Sequence, residues 1–281
     1  MVSELEHNSI NGCLGFLKEN GLVVDFIKTS NGHIDPIDLK NKMSNNVILV
    51  IATMLDSEVG TVEPIDEILE AIKNFPNAHF LCDVTQSISK YQFDYNKLEL
   101  FSFTPHKFGG LVGTGLLVKR KSTILTPIIH GGESLSIYRS GSIPIGLISS
   151  SYMAIKLMVD DFENRISYIK QLSSYFINEV KKINNIKINS VENLFIINLS
   201  IDGYKGYEIV DIFSDNDIYI SQKSACSIKH TPSKIVLSMY KDKKRALSSF
   251  RISLSEYNNK IELDQVLELL RRLACGTYKR N

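Results

Sequence analysis

The stretch FTPHKFGGLVGTGLLV, residues 103–118, places a lysine between two apolar runs. The first run ends at Phe103, the pair His106-Lys107 follows it, and a cluster of glycines leads into the second run. Short apolar runs bounded by turn residues are typical of strands that are buried on both faces of a sheet. Because open α/β sheets bind ligands beyond the carboxyl ends of their strands, Lys107 is predicted to lie at a ligand site.

Strands and helices are predicted to alternate through the first half of the chain. Two segments begin with a proline at a plausible first helical position and repeat apolar residues at helical spacing. This alternation predicts an α/β fold with a mostly parallel sheet. The predicted strands are residues 47–52, 79–82, 98–103 and 115–118, and the predicted helices are residues 36–43 and 64–72.

The second half of the chain has a different pattern. A long, mostly helical stretch over residues 149–183 leads into a region in which short strands and helices mix. We therefore expect a large domain over residues 1–160 and a smaller α+β domain over residues 161–281. The strands predicted there are residues 194–199, 219–221 and 250–254, and the helices are residues 207–213 and 261–273.

Composition narrows the class of partner. The 32 basic and 31 acidic residues among 281 leave a formal charge of +1, which provides no general attraction for nucleic acid or anionic lipid. The longest apolar run is far shorter than the ~18 residues of a membrane span, and no secretory signal pattern is present. The four cysteines form no C-x-x-C pair, so neither a metal site nor a disulfide framework is indicated. The sequence predicts a cytoplasmic protein whose partners are small molecules and other proteins.

A second predicted strand end carries polar residues that complement Lys107. The strand that contains Cys82 is followed at once by Asp83, and Gln86 comes three residues later. A lone lysine is usually a solvated surface residue, but here an acid, an amide, an imidazole and an amine converge on one edge of the sheet. These groups match pyridoxal phosphate, whose ring nitrogen needs an acidic partner and whose aldehyde needs a lysine.

Five segments, taken in order, resemble the motifs of cysteine desulfurases of the NifS/IscS type, in the class V aminotransferase family. The resemblance extends over nearly the whole chain, and five motifs in one order are far more specific than any one of them. The segments are DVTQS (residues 83–87), SFTPHK (102–107), HGG (130–132), YRSGSIP (138–144) and SAC (224–226).

The resemblance implies a fold, a cofactor and a reaction. The fold would be pyridoxal-phosphate fold-type I, with pyridoxal 5′-phosphate as cofactor and a homodimer as the assembly. L-cysteine would be the substrate, and its sulfur would pass to Cys226 as a persulfide while alanine is released. A sulfur-acceptor protein, of the iron–sulfur scaffold or tRNA-thiolation type, would then receive the sulfur. Iron–sulfur cluster assembly is the pathway that this implies.

The resemblance also assigns roles around the cofactor ring. Lys107 would form the Schiff base, and Asp83 would pair with the pyridinium nitrogen. Gln86 would donate a hydrogen bond to the 3-oxygen of the ring. His7 matches the histidine that stacks on the ring and handles protons, although without the family it would be classed as a surface residue near a frayed terminus.

Further matched residues concern the phosphate and the substrate. Thr104 and His106 match positions that bind the cofactor phosphate, and Ser142 matches a hydroxyl residue that reaches the phosphate of the partner subunit. Arg251 matches the arginine that binds the substrate carboxylate, a role suited to a rigid fork of donors. Ser57 stands where the family usually has an asparagine that touches cofactor and substrate, and the shorter serine is expected to lose that reach.

The cysteines divide by their surroundings. Cys226 lies in the polar stretch at residues 221–230, where neighbouring basic residues would favour the reactive thiolate. Cys82 lies in an apolar run and is predicted to be a small buried hydrophobe. Cys13 and Cys275 lie in helical contexts and carry no assigned chemistry.

One departure from the family leaves alternatives open. Family members begin earlier, with a Gly-Ala-Thr-type loop at a helix N-terminus that binds the cofactor phosphate, whereas this sequence begins a few residues before His7. We expect weaker cofactor binding and low activity unless another chain supplies that segment. The alternatives are a non-catalytic remnant or binding subunit of this fold, and another fold-type I lyase such as one acting on selenocysteine. The glycines at residues 109–115 are interpreted as a tight turn, because no P-loop lysine follows them.

Overall fold

Two separate sheets organise the chain. The structure is a computed structural model, and it describes residues 1–132, 136–190, 192–223 and 230–278. Within these ranges a larger sheet has the strand order β2-β1-β5-β6-β7-β8, a smaller one has the order β11-β10-β9, and β3 pairs with β4. The strands are β1 (Val2–Ser3), β2 (Phe26–Ile27), β3 (Thr29–Ser30), β4 (His33–Ile34), β5 (Leu49–Thr53), β6 (His79–Asp83), β7 (Leu100–Phe103), β8 (Leu116–Lys119), β9 (Ile186–Ser190), β10 (Ile196–Ile201) and β11 (Ser249–Ser253).

The larger sheet is parallel except at one edge. Only β8 runs antiparallel to its neighbour, β7, among the strand pairs of this sheet in the described ranges. Thr53 pairs with Asp83, and Asp83 pairs with Ser102, so the carboxyl ends of β5, β6 and β7 are level. The α/β prediction for the first half is confirmed. Every residue of the central run Val50–Ala52 is buried, as expected for a strand that is covered on both faces.

Helices flank both sheets. In the described residues they are α1 (Asn8–Glu19), α2 (Pro36–Lys42), α3 (Ile65–Ile72), α4 (Ile145–Asp160), α5 (Phe162–Val180), α6 (Gly206–Ser214), α7 (Lys234–Tyr240), α8 (Lys243–Ser248) and α9 (Lys260–Ala274). The two helices predicted between the first strands are confirmed. The carboxylate of Asp35 caps α2 by accepting from the backbone N–H of Ile37, and Pro36 occupies the first turn, where its missing N–H costs nothing.

The smaller sheet is antiparallel and encloses a second core. Its apolar residues pack with α5, α6 and α9, and the four phenylalanines of this core are fully buried: Phe176, Phe195, Phe213 and Phe250. One prediction here was wrong, because residues 219–221 form no strand beyond a single bridge between Ser221 and Arg251. The long, mostly helical stretch is present as two helices, with a break at Asp161. The predicted division between residues 160 and 161 coincides with that break and stays a prediction.

The described residues contain neither a membrane-spanning helix nor a cluster of metal ligands. Within those ranges, no helix is both long and apolar enough to cross a membrane. No group of three or more His, Cys, Asp or Glu side chains in the same ranges could hold a metal ion.

Candidate cofactor site

The carboxyl edge of the larger sheet brings Asp83 and Lys107 to adjacent strand ends. Asp83 is the last residue of β6, and Lys107 closes the 3₁₀ turn Pro105–Lys107 just beyond β7. Because β6 and β7 are paired and parallel, both residues lie at the same edge. The carboxylate of Asp83 accepts from the backbone N–H of Thr85 at 2.9 Å, which holds it at the start of the following turn.

The glycines beyond Lys107 form a tight turn, as predicted. A Cβ on Gly110 would lie 2.6 Å from the Cβ of Pro105, so only glycine fits there. Gly109 has a φ of 96°, a conformation that other residues rarely adopt. The turn returns the chain into β8 and leaves Lys107 and His106 exposed.

Thr104 and His106 contact each other, as two groups that bind one phosphate would. The Thr104 hydroxyl donates to the carbonyl of Thr114 at 3.1 Å and lies 2.7 Å from Nδ1 of His106. Since the hydroxyl hydrogen is used by the carbonyl, Nδ1 of His106 supplies the hydrogen of the shorter contact. The other ring nitrogen of His106 remains directed away from this pair.

His7 is ordered by its position at the start of a helix. It is the N-cap residue of α1, and its Nδ1 accepts from the backbone N–H of Ser9 at 3.2 Å. This part of the chain is held in place, because the preceding Glu6 is buried and anchored. The carboxylate of Glu6 accepts from the backbone N–H of Thr53 at 3.0 Å and from the Thr53 hydroxyl at 2.6 Å, so it ties His7 to the end of β5.

The smaller sheet contributes Arg251 to the same edge. Arg251 lies on β11, and its Nη1 donates to the carbonyl of Ser57 at 2.6 Å, in the loop that follows β5. Asn198 on β10 donates to the carbonyl of Glu58 in that loop at 2.8 Å. Nε of Arg251 is buried and has no hydrogen-bond partner in the part of the chain that the structure describes. A buried guanidinium with an unused donor is suited to an incoming carboxylate.

The loop after β5 brings together carboxyl groups whose pKa values are raised by burial. Burial, reinforced by the charge of Asp56, raises the pKa of Glu58 to about 7. Burial also raises the pKa of Asp56, although its carboxylate accepts from the backbone N–H groups of Glu58 and Val59. Gly60 closes the loop with a φ of 75°, and a Cβ there would lie 3.1 Å from the Cβ of Ile196.

Two more buried carboxyls lie close by. Burial raises the pKa of Glu6 to about 7 and that of Glu63 to about 8, and Glu63 accepts from the backbone N–H of Ile34. Burial likewise lowers the pKa of Arg251, while Glu58 and Asp56 oppose that shift. Sequence reasoning missed this cluster, because no spacing in the sequence signals which acids a second sheet will cover.

Gln86 has a partner that sequence reasoning also missed. Its Oε1 accepts from Nζ of Lys90 at 2.8 Å, in the turns that follow β6. The only signal in the sequence is that the lysine comes four residues after the glutamine.

The remaining site predictions have different outcomes. Ser142 is exposed on the segment before α4, and within the described ranges no hydrogen bond connects it to the other site residues. Ser57 enters the site through its carbonyl, which Arg251 binds. Cys226 lies outside the described residues. Cys82 is fully buried, as predicted, and burial raises the pKa of its thiol.

A mostly parallel sheet with an acid and a lysine at adjacent strand ends, beside a smaller antiparallel sheet, is the arrangement expected of a pyridoxal-phosphate protein of fold-type I. The sequence model of the family described as "Aminotransferase class-V" matches residues 1–266, so the chain belongs to that family.

Relatives and solved structures agree with this assignment. The chain is similar to "Cysteine desulfurase IscS" of Dictyoglomus turgidum, with 29% identity over 97% of this chain and 71% of that protein. It is similar to a "NifS/IcsS protein homolog" of Lactobacillus delbrueckii subsp. bulgaricus, with 28% identity over 95% of this chain and 72% of that protein. A solved "NIFS-LIKE PROTEIN" superposes with a TM-score of 0.88, covers 98% of this chain and 74% of its own, and is 23% identical, which shows the shared fold.

The residues present fit the cofactor of this family, pyridoxal 5′-phosphate. Asp83 supplies a carboxylate for a pyridinium nitrogen, and Lys107 supplies an exposed amine for an aldehyde. The hydrogens of the Thr104 hydroxyl and of Nδ1 of His106 are already used within the chain, so the second ring nitrogen of His106 is the group of this pair that could meet an anion. Arg251 holds an unused buried donor that could meet a substrate carboxylate.

Proposed function

We propose that this chain is a pyridoxal-phosphate-dependent cysteine desulfurase. The observation that carries the proposal is the meeting of Asp83, Lys107 and Arg251 at one edge, although they come from different strands and, for Arg251, from a different sheet. The positive charges of Arg251 and Lys107 both lower the pKa of Lys90, beside Gln86, which supports their lying around one site. The similarity to proteins named cysteine desulfurase supports the choice of reaction.

Each side chain has a distinct task in the proposal. When bound, pyridoxal phosphate withdraws electrons from the α-carbon of an amino acid. Lys107 would hold the cofactor through its amine and then move protons at the substrate, while Asp83 would keep the ring nitrogen protonated. Arg251 would bind the substrate carboxylate, and His7, fixed at the start of α1, would stack on the ring.

The sulfur step requires a thiol, and we assign it to Cys226. Its thiolate would attack the sulfur of the bound L-cysteine, so that a new S–S bond forms as the Cβ–S bond breaks. The electron pair of the broken bond stays with carbon, which takes up a proton and leaves as alanine. The sulfur carried on Cys226 would then pass to an acceptor protein of the iron–sulfur scaffold or tRNA-thiolation type.

A homodimer and a cytoplasmic location are parts of the same proposal. Support for the dimer is the exposed position of Ser142, which by resemblance reaches the cofactor phosphate of a second subunit. Exposed apolar side chains lie beside it at Ile143 and Ile145. Contiguous apolar surface of this kind marks sites of protein association.

The test is a cofactor titration of the purified chain, followed by absorbance. We expect the yellow absorbance of lysine-bound pyridoxal phosphate, and borohydride reduction followed by peptide mapping should place the pyridoxyl group on Lys107. Adding L-cysteine and a thiol acceptor should release alanine and sulfide, and Cys226→Ser should stop both. The control is Lys121→Ala, which removes an exposed lysine outside the site.

Each other outcome has a definite meaning. Pyridoxyl on a different lysine would refute the assignment of Lys107. Bound cofactor without alanine release would favour the binding subunit, and alanine release from selenocysteine alone would favour a selenocysteine lyase.

A further inference from the structure

Lys90 is a lysine that the proposed mechanism does not use, yet it reaches into the candidate cofactor site. It is partly buried, and its Nζ donates to Oε1 of Gln86 at 2.8 Å. The backbone carbonyl of Lys90 accepts a hydrogen bond from Nδ2 of Asn193 at 3.2 Å, and Asn193 lies between β9 and β10 of the smaller sheet. Lysines are mostly solvated, so one that is held in this way needs a physical explanation.

The charges around Lys90 do not provide that explanation. Burial, followed by the positive charges of Arg251, Lys107 and Arg165, lowers the pKa of Lys90 to about 8. Glu256 acts in the opposite direction, and its carboxylate is already paired with Nε of Arg165 at 2.9 Å. Surrounding cations disfavour an ammonium group. Charge pairing therefore does not explain the position of Lys90, and its hydrogen bond to Gln86 is the interaction that remains to be explained.

The chemistry of the two groups fixes the orientation of the glutamine. A glutamine amide has an acceptor oxygen on one side and an NH₂ group with two donors on the other. Rotation of the amide by 180° exchanges the two sides. An ammonium group can only donate. Oε1 must therefore face Lys90, and Nε2 must face the opposite way. Without Lys90, nothing in this contact would prevent the amide from flipping.

We propose that Lys90 is a positioning residue that locks the Gln86 amide with its N–H donors turned toward the ring oxygen of pyridoxal phosphate. The inference rests on the proposed function, because it requires the cofactor to bind at this edge of the sheet. Lys90 acts through Gln86 and does not itself touch the reacting atoms.

A double-mutant cycle on cofactor affinity tests this coupling. The dissociation constant of pyridoxal phosphate is measured by absorbance for the wild type, Lys90→Met, Gln86→Ala and the double variant. We expect Lys90→Met to weaken binding by about 10-fold to 100-fold, since a charge-assisted hydrogen-bond arrangement is lost. In the Gln86→Ala background the same change should have little further effect, because the group that Lys90 positions is already absent. The matched control is Lys40→Met, which alters an exposed lysine on α2.

Two further variants keep the inference testable should Lys90→Met not fold, as thermal unfolding of the cofactor-free chain would reveal. Lys90→Arg keeps a cationic group that can only donate, so it should hold Oε1 of Gln86 as Lys90 does and keep nearly wild-type affinity for pyridoxal phosphate. Lys90→Gln can also accept a hydrogen bond, so it should let the amide flip and weaken binding by about 10-fold. Equal affinities for these two variants would contradict the inference.

The outcomes separate the inference from the proposed function. Equal losses from Lys90→Met in both backgrounds, or wild-type affinity and spectrum in Lys90→Met, would overturn the inference and leave the proposed function intact. A wild-type chain that binds no pyridoxal phosphate would overturn the proposed function and the inference with it.

Discussion

The two sides of the candidate cofactor site are built in opposite ways. We call the buried loop after β5 and its contacts, Glu6, Ser57, Glu58 and Arg251, the arginine side. Its polar groups are mostly hydrogen-bonded, and they are covered by a second sheet. We call Thr104, His106, Lys107 and Ser142 the lysine side, where His106, Lys107 and Ser142 are exposed to solvent.

The surroundings of the lysine side explain the difference. Beside it lie exposed apolar residues, among them Leu117 on the edge strand β8, at 56% exposure, and Leu157 on α4, at 61%. An edge strand with apolar neighbours is a surface that proteins normally pair or cover. The arginine side is covered by the smaller sheet, whereas the lysine side leaves apolar surface exposed. Four predictions follow this contrast, from the largest expected effect to the smallest.

The largest effect is expected on the lysine side. Lys107→Ala should lower the rate of alanine formation by at least about 100-fold, because the group that would hold the cofactor and move protons is removed. The measurement is single-turnover alanine release at saturating pyridoxal phosphate, with Lys121→Ala as the control. A loss of less than tenfold would mean that the exposed lysine side is not the reactive one.

The arginine side should reveal itself through the pH dependence of stability. Burial raises the pKa of Glu6 from 4.5 to about 7, so the folded chain binds more protons than the unfolded chain in that range. Stability from this group is fully present below pH 4.5 and is lost as the pH rises through 7. At 1.36 kcal/mol per pKa unit, ionisation of Glu6 should lower the free energy of unfolding by about 2–3 kcal/mol between pH 5 and pH 8.

Glu6→Gln removes that titration and keeps an acceptor for Thr53. We expect its free energy of unfolding, measured by urea denaturation, to fall less steeply than that of the wild type between pH 5 and pH 8. Glu4→Gln, which changes an exposed acid two residues away, serves as the control. If the free energies of unfolding of the wild type and Glu6→Gln changed in parallel with pH, ionisation of Glu6 would not destabilise the folded chain, and the prediction would be contradicted.

A third variant tests the substrate role of the arginine side. Arg251→Lys should raise KM for L-cysteine by about 10-fold to 100-fold, because lysine cannot supply the planar fork that includes the unused Nε. The affinity for pyridoxal phosphate should change much less. Arg271→Lys, at an exposed ion pair with Glu179, is the control. An unchanged KM would contradict carboxylate binding by Arg251.

The smallest effect concerns the surface next to the lysine side. Ile145 begins α4, close to Ser142 in the chain, and it is 73% exposed. If the proposed homodimer uses this surface, Ile145→Lys should weaken it by about tenfold, through loss of buried apolar area. Sedimentation at a series of concentrations measures this, with Val23→Lys, at a 92% exposed position away from α4, as the control. Equal dimer constants would place the interface elsewhere.

Local pattern predicted a large part of the fold. Apolar runs bounded by turn residues predicted β5, β6, β7 and β8. Burial on both faces explains the apolar centre of β5, whereas β8 is an edge strand on which Leu117 is 56% exposed. Proline and helical spacing predicted α2 and α3 for equally local reasons. The pattern failed at residues 219–221, which have β-forming residues but pair only through Ser221. Pairing depends on the neighbouring strand as well as on propensity.

The sequence by itself also determined which strand ends carry chemistry, since Asp83 and Lys107 each follow a recognisable apolar run. Only the tertiary structure decided which groups meet them. Arg251 reaches Ser57 across 194 positions of the chain, and Glu6 reaches Thr53 across 47. Such contacts arise when two sheets pack, and the burial that packing produces sets the charge of each group. Sequence periodicity shows which face of a helix or strand is apolar, but it does not show which other helix or sheet will pack against that face.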